Sequence, residues 1–444
     1  MKIVLPQKVS FIINCIMEAG YEAYAVGGCI RDSILGRTPD DWDITTSATP
    51  EQVKRLFRRT IDTGIQHGTV TVLLEREGFE VTTYRIDGKY EDGRHPKEVT
   101  FTPCLEEDLK RRDFTINAMA YNEQNGLVDL FGGMEDIHAK VIRCVGDGRA
   151  RFMEDGLRIM RAIRFAAQLG YTIEEDTKAA ICELAPNLCK ISAERIQVEL
   201  TKLVESPHPE AMRTVYETGV AAVILPEFVQ SMETPQNNPH HCYTVGEHTL
   251  RVMQQVEAKK ELRLAALFHD IGKPGCRSTD ETGIDHFYRH PEAGAELTRN
   301  ILRRLRYDNE TVLTVCRLVQ YHDYGSGVMP DSRIVRRAMN KIGEDLFPML
   351  FALKKADILA QSTQLREEKL ACLAAWQAQY EDILRKEECV SLKNLALTGR
   401  DLIAMGMQPG KELGEVLQKM LELVLDHPNY NTKEYLTKWL SERE

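Results

Sequence analysis

Apolar and polar positions change their period partway along the chain, and the change divides it. Phe11 to Met17 is a short apolar run followed by Glu18 and Glu22, which predicts an amphipathic first helix, and Ala23–Val26 then reads as a strand. In Asp41-Trp42-Asp43-Ile44 apolar and acidic residues alternate. On a strand, Trp42 and Ile44 would enter the core and the two carboxylates would share the opposite face. Phe79–Arg85 is rich in β-branched and aromatic residues and predicts another strand. Beyond about Val141 no clear alternation remains. Leu157, Met160, Ile163 and Ala167 fall on one helical stripe, and Gln361 to Glu388 predicts a long helix through Leu365, Leu370, Leu373, Trp376, Tyr380, Ile383 and Leu384.

Gly, Pro and charge punctuate these elements. Asp87 to Lys97 is dense in all three and predicts a mobile loop, while Ser206–Pro209 and Pro235 to Pro239 mark further breaks. No internal repeat and no G-x-x-x-x-G-K-[ST] occurs, which argues against a P-loop. With 444 residues there is length for several domains, each with its own core. The net charge of −10 runs against nucleic-acid binding in bulk, so any basic surface must be local. Lys110 to Arg112 and the arginines at 149, 151, 158, 161 and 164 are candidates. The eleven cysteines contain no C-x-x-C pair, which predicts neither a zinc ribbon nor a disulfide framework and suits a reducing, cytoplasmic compartment. The first apolar run is too brief for a signal peptide, and no stretch approaches the ~20 apolar residues of a membrane span.

Chemistry concentrates in a few strings. Asp41 and Asp43 offer paired oxygen ligands suited to a hard divalent cation such as Mg²⁺, which is commonly shared between carboxylates and substrate phosphates. Gly27-Gly28 permits close backbone approach, and its N–H groups predict an anion-binding concavity for a triphosphate. Asp155 and Arg158, three apart on a helix, are predicted to be neighbours.

Taken in order, Gly27-Gly28-x-x-Arg31-Asp32, Leu35-Gly36, Asp41-x-Asp43, Arg111-Arg112-Asp113-Phe114 through Asn117-Ala118, and Glu154-Asp155-x-x-Arg158-x-x-Arg161-Ala162-x-Arg164-Phe165 form a series. It resembles the signature of the DNA polymerase β nucleotidyltransferase superfamily, in the bacterial branch that holds tRNA nucleotidyltransferases and poly(A) polymerases. The resemblance implies Asp41, Asp43 and Glu80 as the catalytic acids, with Mg²⁺ on the first two. It implies nucleotide binding through Gly28, Arg31, Arg112, Asp113, Asn117, Asp155, Arg158, Arg161 and Arg164, with Arg112 and Asp113 on the ribose and Arg161 toward the triphosphate. Asp155 and Arg158 would read the incoming base. A carboxylate accepts from the exocyclic amine of cytosine or adenine and a guanidinium donates to the ring nitrogen, whereas uracil and guanine present the reverse pattern. The Asp87 to Lys97 loop resembles one kept by CCA- and A-adding enzymes. Ile191–Leu200 resembles a helix that buttresses the pocket through Glu194 and Arg195.

A second constellation follows. His248 stands in G-E-H-T-L, His269 and Asp270 in A-L-F-H-D-I-G-K-P, His290 in R-H-P-E-A-G-A, His322 in Y-H-D and Asp357 in K-K-A-D-I-L-A. This order resembles the HD superfamily of metal-dependent phosphohydrolases. Imidazole with carboxylate suits a transition metal such as Mn, Ni, Co or Fe. The expected grouping is His248, His269, Asp270 and Asp357 at one metal, with His290 and His322 completing a second. Leu395 to Ile403 resembles the opening of the tRNA nucleotidyltransferase tail.

The resemblance thus implies an α+β fold: a nucleotidyltransferase head with a mixed sheet at 1–140, then all-α neck (141–230), HD (231–362) and body or tail (363–444) domains. It implies addition of C, C and A to the 3′ end of tRNA from CTP and ATP, with tRNA and the two nucleotides as partners and no membrane. An A-adding enzyme or poly(A) polymerase would share the head. A reading from another class is an HD phosphohydrolase using the head to bind RNA. The subunit count stays open at this level.

Overall fold

The computed structural model describes residues 2–88, 99–237 and 243–442. Residues 89–97 of the predicted loop, and Asn238 and Pro239 of the second Pro-rich break, lie outside the described residues. The chain forms two compact units, Met1–Pro226 and Glu227–Glu444.

The first unit is built on a seven-stranded mixed sheet. Its strands run in the order Thr60–Gly64, Thr69–Leu74, Glu77–Thr83, Ile44–Thr46, Ala23–Val26, Met119–Asn122 and Gly126–Asp129. Ile44–Thr46 runs parallel to Glu77–Thr83, and the remaining neighbours are antiparallel. All four residues of Ala23–Val26 are buried, as expected for a strand covered on both faces. The predicted first helix forms at Gln7–Glu18 and buries Val9, Ile12, Ile13 and Ile16, a spacing that lines one helical face.

Two strand expectations are corrected. Asp41 and Asp43 precede the strand, which begins at Ile44, and Trp42 is half-buried rather than in the core. The ladder starts where Ile44 pairs with Ala25 and Val81, and Asp43 meets it only through its carbonyl, which accepts from the Val26 N–H at 3.0 Å. The predicted strand from Phe79 to Arg85 stops at Thr83. The N–H of the fully buried Tyr84 bonds Thr46 O at 2.7 Å, and Arg85–Asp87 pairs instead with Val99–Phe101.

After this sheet the unit is mainly helical. Leu157–Leu169 buries its predicted stripe and also Ile159, Ala162, Arg164 and Phe165, and it packs on Ala193–Val204.

The second unit gathers the helices Val245–Gln255, Lys260–Phe268, His290–Arg304, Asn309–Tyr321, Ser332–Ile342 and Phe347–Ala360. The long helix predicted from Gln361 forms over Arg366–Arg385 and packs on Phe347–Ala360 and Ser332–Ile342. Leu365, expected on its apolar face, is exposed just ahead of the first turn. A separate small core of Leu395, Leu397, Leu402, Met420, Leu421, Val424, Leu425 and Leu436 organises the C-terminal segment. No helix among the described residues is long and apolar enough to cross a membrane.

Candidate active site and metal centre

Register brings the first site together. Ile44 lies beside Val81, so Asp43, just ahead of its strand, comes level with Glu80 of the parallel neighbour, and Asp41 lies close enough to act on both. All three side chains reach solvent, yet they crowd one another. Lost hydration raises the Asp43 carboxyl above its ordinary value; Arg112 opposes this and Asp41 adds to it. Glu80 is raised by desolvation and then by Asp43 and Asp41. Three mutually repelling carboxylates, all oxygen donors, fit a hard divalent cation.

Gly27 closes the other side. Its φ of 88° lies in the left-handed region, and a Cβ there would stand 3.0 Å from Arg112 Nη1. Its N–H is donated to Met119 O at 3.1 Å, which corrects the expectation that both glycine N–H groups are free for phosphate. Arg112 forms an ion pair with the fully buried Asp108 at 3.7 Å, and its Nε is a buried donor without a hydrogen-bond partner among the described residues. An unpaired buried donor costs free energy unless a ligand satisfies it, so the residue is poised for an acceptor such as phosphate or ribose oxygen.

Four predicted residues form one hydrogen-bonded chain. Arg31 Nη1 donates to Asn117 Oδ1 at 2.7 Å, Asn117 Nδ2 to Asp113 Oδ1 at 3.2 Å, and Arg161 Nε to Asp113 Oδ2 at 2.8 Å. The guanidiniums of Arg31, Arg161 and Arg164 lie 5.0, 5.3 and 3.8 Å from the Phe165 ring centre. Burial alone would raise the Asp113 carboxyl, but Arg161 and Arg158 outweigh it and hold it down to about 2. Both Asp113 oxygens are therefore occupied within the protein.

Asp155 and Arg158 are neighbours, the Arg158 N–H donating to Asp155 O at 3.0 Å, and their side chains bond further groups. Arg195 Nη2 donates to Asp155 at 2.7 Å, while Arg158 donates to Glu154 at 2.6 Å and to Arg111 O at 2.9 Å. The Asp–Arg contact that geometry selects comes from the neighbouring helix. Arg164 is buried, with its donors on Glu199 and Gln168, so it is committed to helix packing rather than to a ligand. Asp108, which also accepts from Arg111 at 2.8 Å and Thr45 at 3.0 Å, was not singled out by sequence. Its signal was the Asp-x-x-Arg-Arg spacing.

In the second unit all six predicted residues converge. His248, His269 and Asp357 form one set and Asp270, His290 and His322 another, the ligand atoms of each set lying within 4.8 Å of one another. Asp270 touches both: Oδ2 is 3.3 Å from His269 Nε2 and Oδ1 is 3.4 Å from His290 Nε2. Asp270 Oδ2 also lies 3.7 Å from His248 Nε2, so the carboxylate keeps its expected place with His248, His269 and Asp357 while its other oxygen reaches His290 and His322.

The tautomers fit a metal. His269, His290 and His322 each place Nδ1 2.7–2.8 Å from a backbone carbonyl, of Ala266, Phe287 and Val319. A carbonyl can only accept, so Nδ1 carries the proton and the neutral ring presents a lone pair at Nε2. Those lone pairs converge: His248 and His269 Nε2 are 3.3 Å apart, as are His290 and His322 Nε2. A cation between them relieves the repulsion. Burial opposes ionisation of Asp270, and the Lys273 ammonium beside it favours the carboxylate. Lys273 Nζ lies 2.7 Å from Asp270, and Gln361 Nε2 donates to Asp357 at 3.0 Å; neither was picked out from sequence, although Lys273 stands one helical turn from Asp270.

Three family descriptions match the chain: "Poly A polymerase head domain" over residues 23–143, "Probable RNA and SrmB-binding site of polymerase A" over 170–232, and tRNA nucleotidyltransferase domain 2 over 287–440. The CCA-adding enzyme of Leuconostoc mesenteroides is 37% identical over 440 residues, covering 97% of this chain and 95% of that one. That of Geobacillus kaustophilus is 36% identical over 439 residues, covering 97% and 96%. The crystal structure of the Bacillus stearothermophilus CCA-adding enzyme in complex with CTP superimposes with a TM-score of 0.75 at 31% identity, covering 99% and 98% of the two chains. The Thermotoga maritima CCA-adding enzyme complexed with tRNA shares the fold, with a TM-score of 0.58 at 21% identity.

Proposed function

This chain belongs to the CCA-adding enzyme family, and from that premise we propose that it adds C, C and A to the 3′ end of tRNA from CTP and ATP, releasing pyrophosphate. The observation that carries the reading is the meeting of Asp41, Asp43 and Glu80 beside Arg112, whose buried Nε lacks a partner among the described residues. Asp41 and Asp43, with Glu80 near them, would hold divalent metal, for which Mg²⁺ is the proposed identity. Bound there, it would lower the pKa of the attacking hydroxyl and offset charge on the triphosphate. The nucleophile is the terminal hydroxyl of tRNA, which attacks the α-phosphate in line and expels pyrophosphate.

The protein's own groups supply binding and selection. Arg112 donates to the incoming nucleotide. Asp113 positions Asn117 and holds Arg161 through Nε and Nη2, so that Arg161 would meet the triphosphate through its remaining nitrogen. Asp155, steadied by Arg195, accepts from the exocyclic amine of cytosine or adenine, and Arg158 donates to the ring nitrogen. The free thiols among the described residues accord with a cytoplasmic setting. Supplying tRNA that lacks its 3′ CCA with CTP alone, ATP alone or both, then sequencing the ends, tests the proposal. Addition of CCA only with both nucleotides is expected. A tails without C would move the chain to the A-adding or poly(A) reading.

A second activity rests on the convergent imidazoles of the helical unit. His248, His269 and Asp357, with Asp270, His290 and His322, would hold transition metal, and such metal supplies an activated water for phosphoester hydrolysis. Metal analysis of the purified protein, with phosphate release assayed across Mn²⁺, Ni²⁺, Co²⁺ and Fe²⁺, tests it. Absence of both bound metal and hydrolysis would leave the cluster structural.

A further inference from the structure

The His–Asp cluster is flanked by two cavities that share Asp323, Asp357 and Gln361 as a common wall. One is polar, lined by Lys273, Arg289, His290 and His322 among others. The other, about 480 Å³, has a different character: Trp376, Leu373, Leu365, Ile358 and Met329 supply apolar walls, while Lys354, Lys369, Glu368 and Ser326 supply donors and acceptors. Its volume falls in the ~300–1,000 Å³ range of small-molecule sites, and an apolar chamber with a few polar groups is their usual make-up.

Its construction ties it to the cluster. Lys369 Nζ donates to Gln361 Oε1 at 2.6 Å and Gln361 in turn holds Asp357, so the cavity wall and a candidate metal ligand are one hydrogen-bonded unit. Lys354 Nζ is fixed on Tyr324 O at 2.6 Å. The opposite wall is set by the Trp376 indole, whose Nε1 donates to Val328 O at 3.0 Å. Gly325 packs against that ring so closely that a Cβ would fall 2.5 Å from it, at a φ of 72°.

We propose that this cavity is a nucleoside subsite, taking the base and sugar of a nucleotide whose phosphate lies on the His–Asp cluster. Apolar walls that include the flat Trp376 indole, with polar groups at the rim, match a base, and nucleotides are what the rest of the chain handles. This deepens the hydrolase reading and rests on it for turnover. In that reaction water's oxygen forms a bond to phosphorus, the ester P–O bond breaks, and the nucleoside leaves as its alcohol with a proton from water, giving inorganic phosphate.

Cys372 lines the cavity, is partly exposed and donates to Val328 O at 3.3 Å, so its alkylation reports occupancy whether or not hydrolysis occurs. Full-length protein with Mn²⁺ is treated with iodoacetamide and each cysteine followed by peptide mapping, in adenosine 3′-monophosphate, glycerol 2-phosphate or inorganic phosphate. At ten times its dissociation constant the nucleotide should slow labelling of Cys372 about tenfold, by mass action, and leave Cys104, Cys182 and Cys189 unchanged. Glycerol 2-phosphate should not protect. Cys372→Phe, which fills the cavity, should raise KM for the nucleotide and spare hydrolysis of glycerol 2-phosphate. Labelling at one rate in all three, or equal protection by inorganic phosphate, overturns the subsite. Protection without turnover of either ester upholds the subsite and sinks the hydrolase reading; turnover of both without protection does the reverse.

Discussion

In the first unit the candidate metal ligands are three exposed carboxylates at the edge of two parallel strands, while in the second they are histidines and aspartates, five of the six buried, on helices or just past their ends. Among the described residues Asp41, Asp43 and Glu80 have no locking hydrogen bonds of the kind that hold the imidazoles, and lost hydration, with repulsion from the neighbouring acids, raises Asp43 and Glu80. His269, His290 and His322 are held in one tautomer by backbone carbonyls, and Lys273 and Gln361 brace the two acids. An open, hard-oxygen site shares its metal with substrate phosphates and is completed by them. A buried, braced nitrogen and oxygen site is organised to keep its metal between turnovers.

The largest test breaks the first half of this contrast. Asp41→Ala or Asp43→Ala should reduce nucleotide addition about a thousandfold or more, because several kcal/mol of metal-derived stabilisation disappear. The thermal midpoint without metal should hold steady or rise, since a repulsive charge is gone. Near-normal turnover with Mg²⁺ in either variant would remove these acids from the reaction.

The second half is sharpened by metal-linked stability. Transition metal at a hundredfold over its dissociation constant should stabilise the protein by about 2.7 kcal/mol, read as a shift of the thermal midpoint. His269→Ala with Asp270→Ala should abolish that shift and the hydrolysis while CTP and ATP incorporation continues. A shift that survives in the double variant would place the metal elsewhere.

Base selection gives a smaller effect. Asp155→Ala removes an acceptor and should relax rejection of UTP and GTP by about tenfold to a hundredfold. Arg195→Ala should produce a weaker version, because it loosens the carboxylate without deleting it. An unchanged preference among the four triphosphates in both variants would reduce the Asp155–Arg195 contact to structural support.

The mildest prediction follows from pH. Asp113 is held down to about 2, against an ordinary value of 3.8, so its contribution is fully present above pH 4 and is lost as pH falls toward 2. Acid titration of stability should show a loss of about 2 kcal/mol over that range. Asp113→Asn should be less stable at neutral pH and lack that part of the slope.

Much of the site was legible where chemistry depends on residue type at a fixed local spacing. Asp41-x-Asp43 and the His269-Asp270 pair can be read as local motifs, and the apolar stripe of Leu157–Leu169 because side-chain direction on a helix follows from its period. Pairing was not legible in this way. Asp155 and Arg158 stand three apart, yet the Asp155 carboxylate is held by Arg195, forty residues on. Asp108 drew no notice until its burial and its bonds to Thr45, Arg111 and Arg112 were visible.

By itself, then, the order of residues determined the early strands and the helical remainder through hydrophobic period, while the mixed-sheet head and both sets of candidate ligands came from the family resemblance that its motifs carry. Only the tertiary structure decided where the carboxylates stand relative to the first rung of the ladder, that the six His and Asp residues divide three and three with Asp270 between them, and that Arg366–Arg385 walls a cavity beside them. Those outcomes depend on sheet register and on which helix packs against which. Both are fixed by contacts between residues tens of positions apart, for which local spacing carries no information.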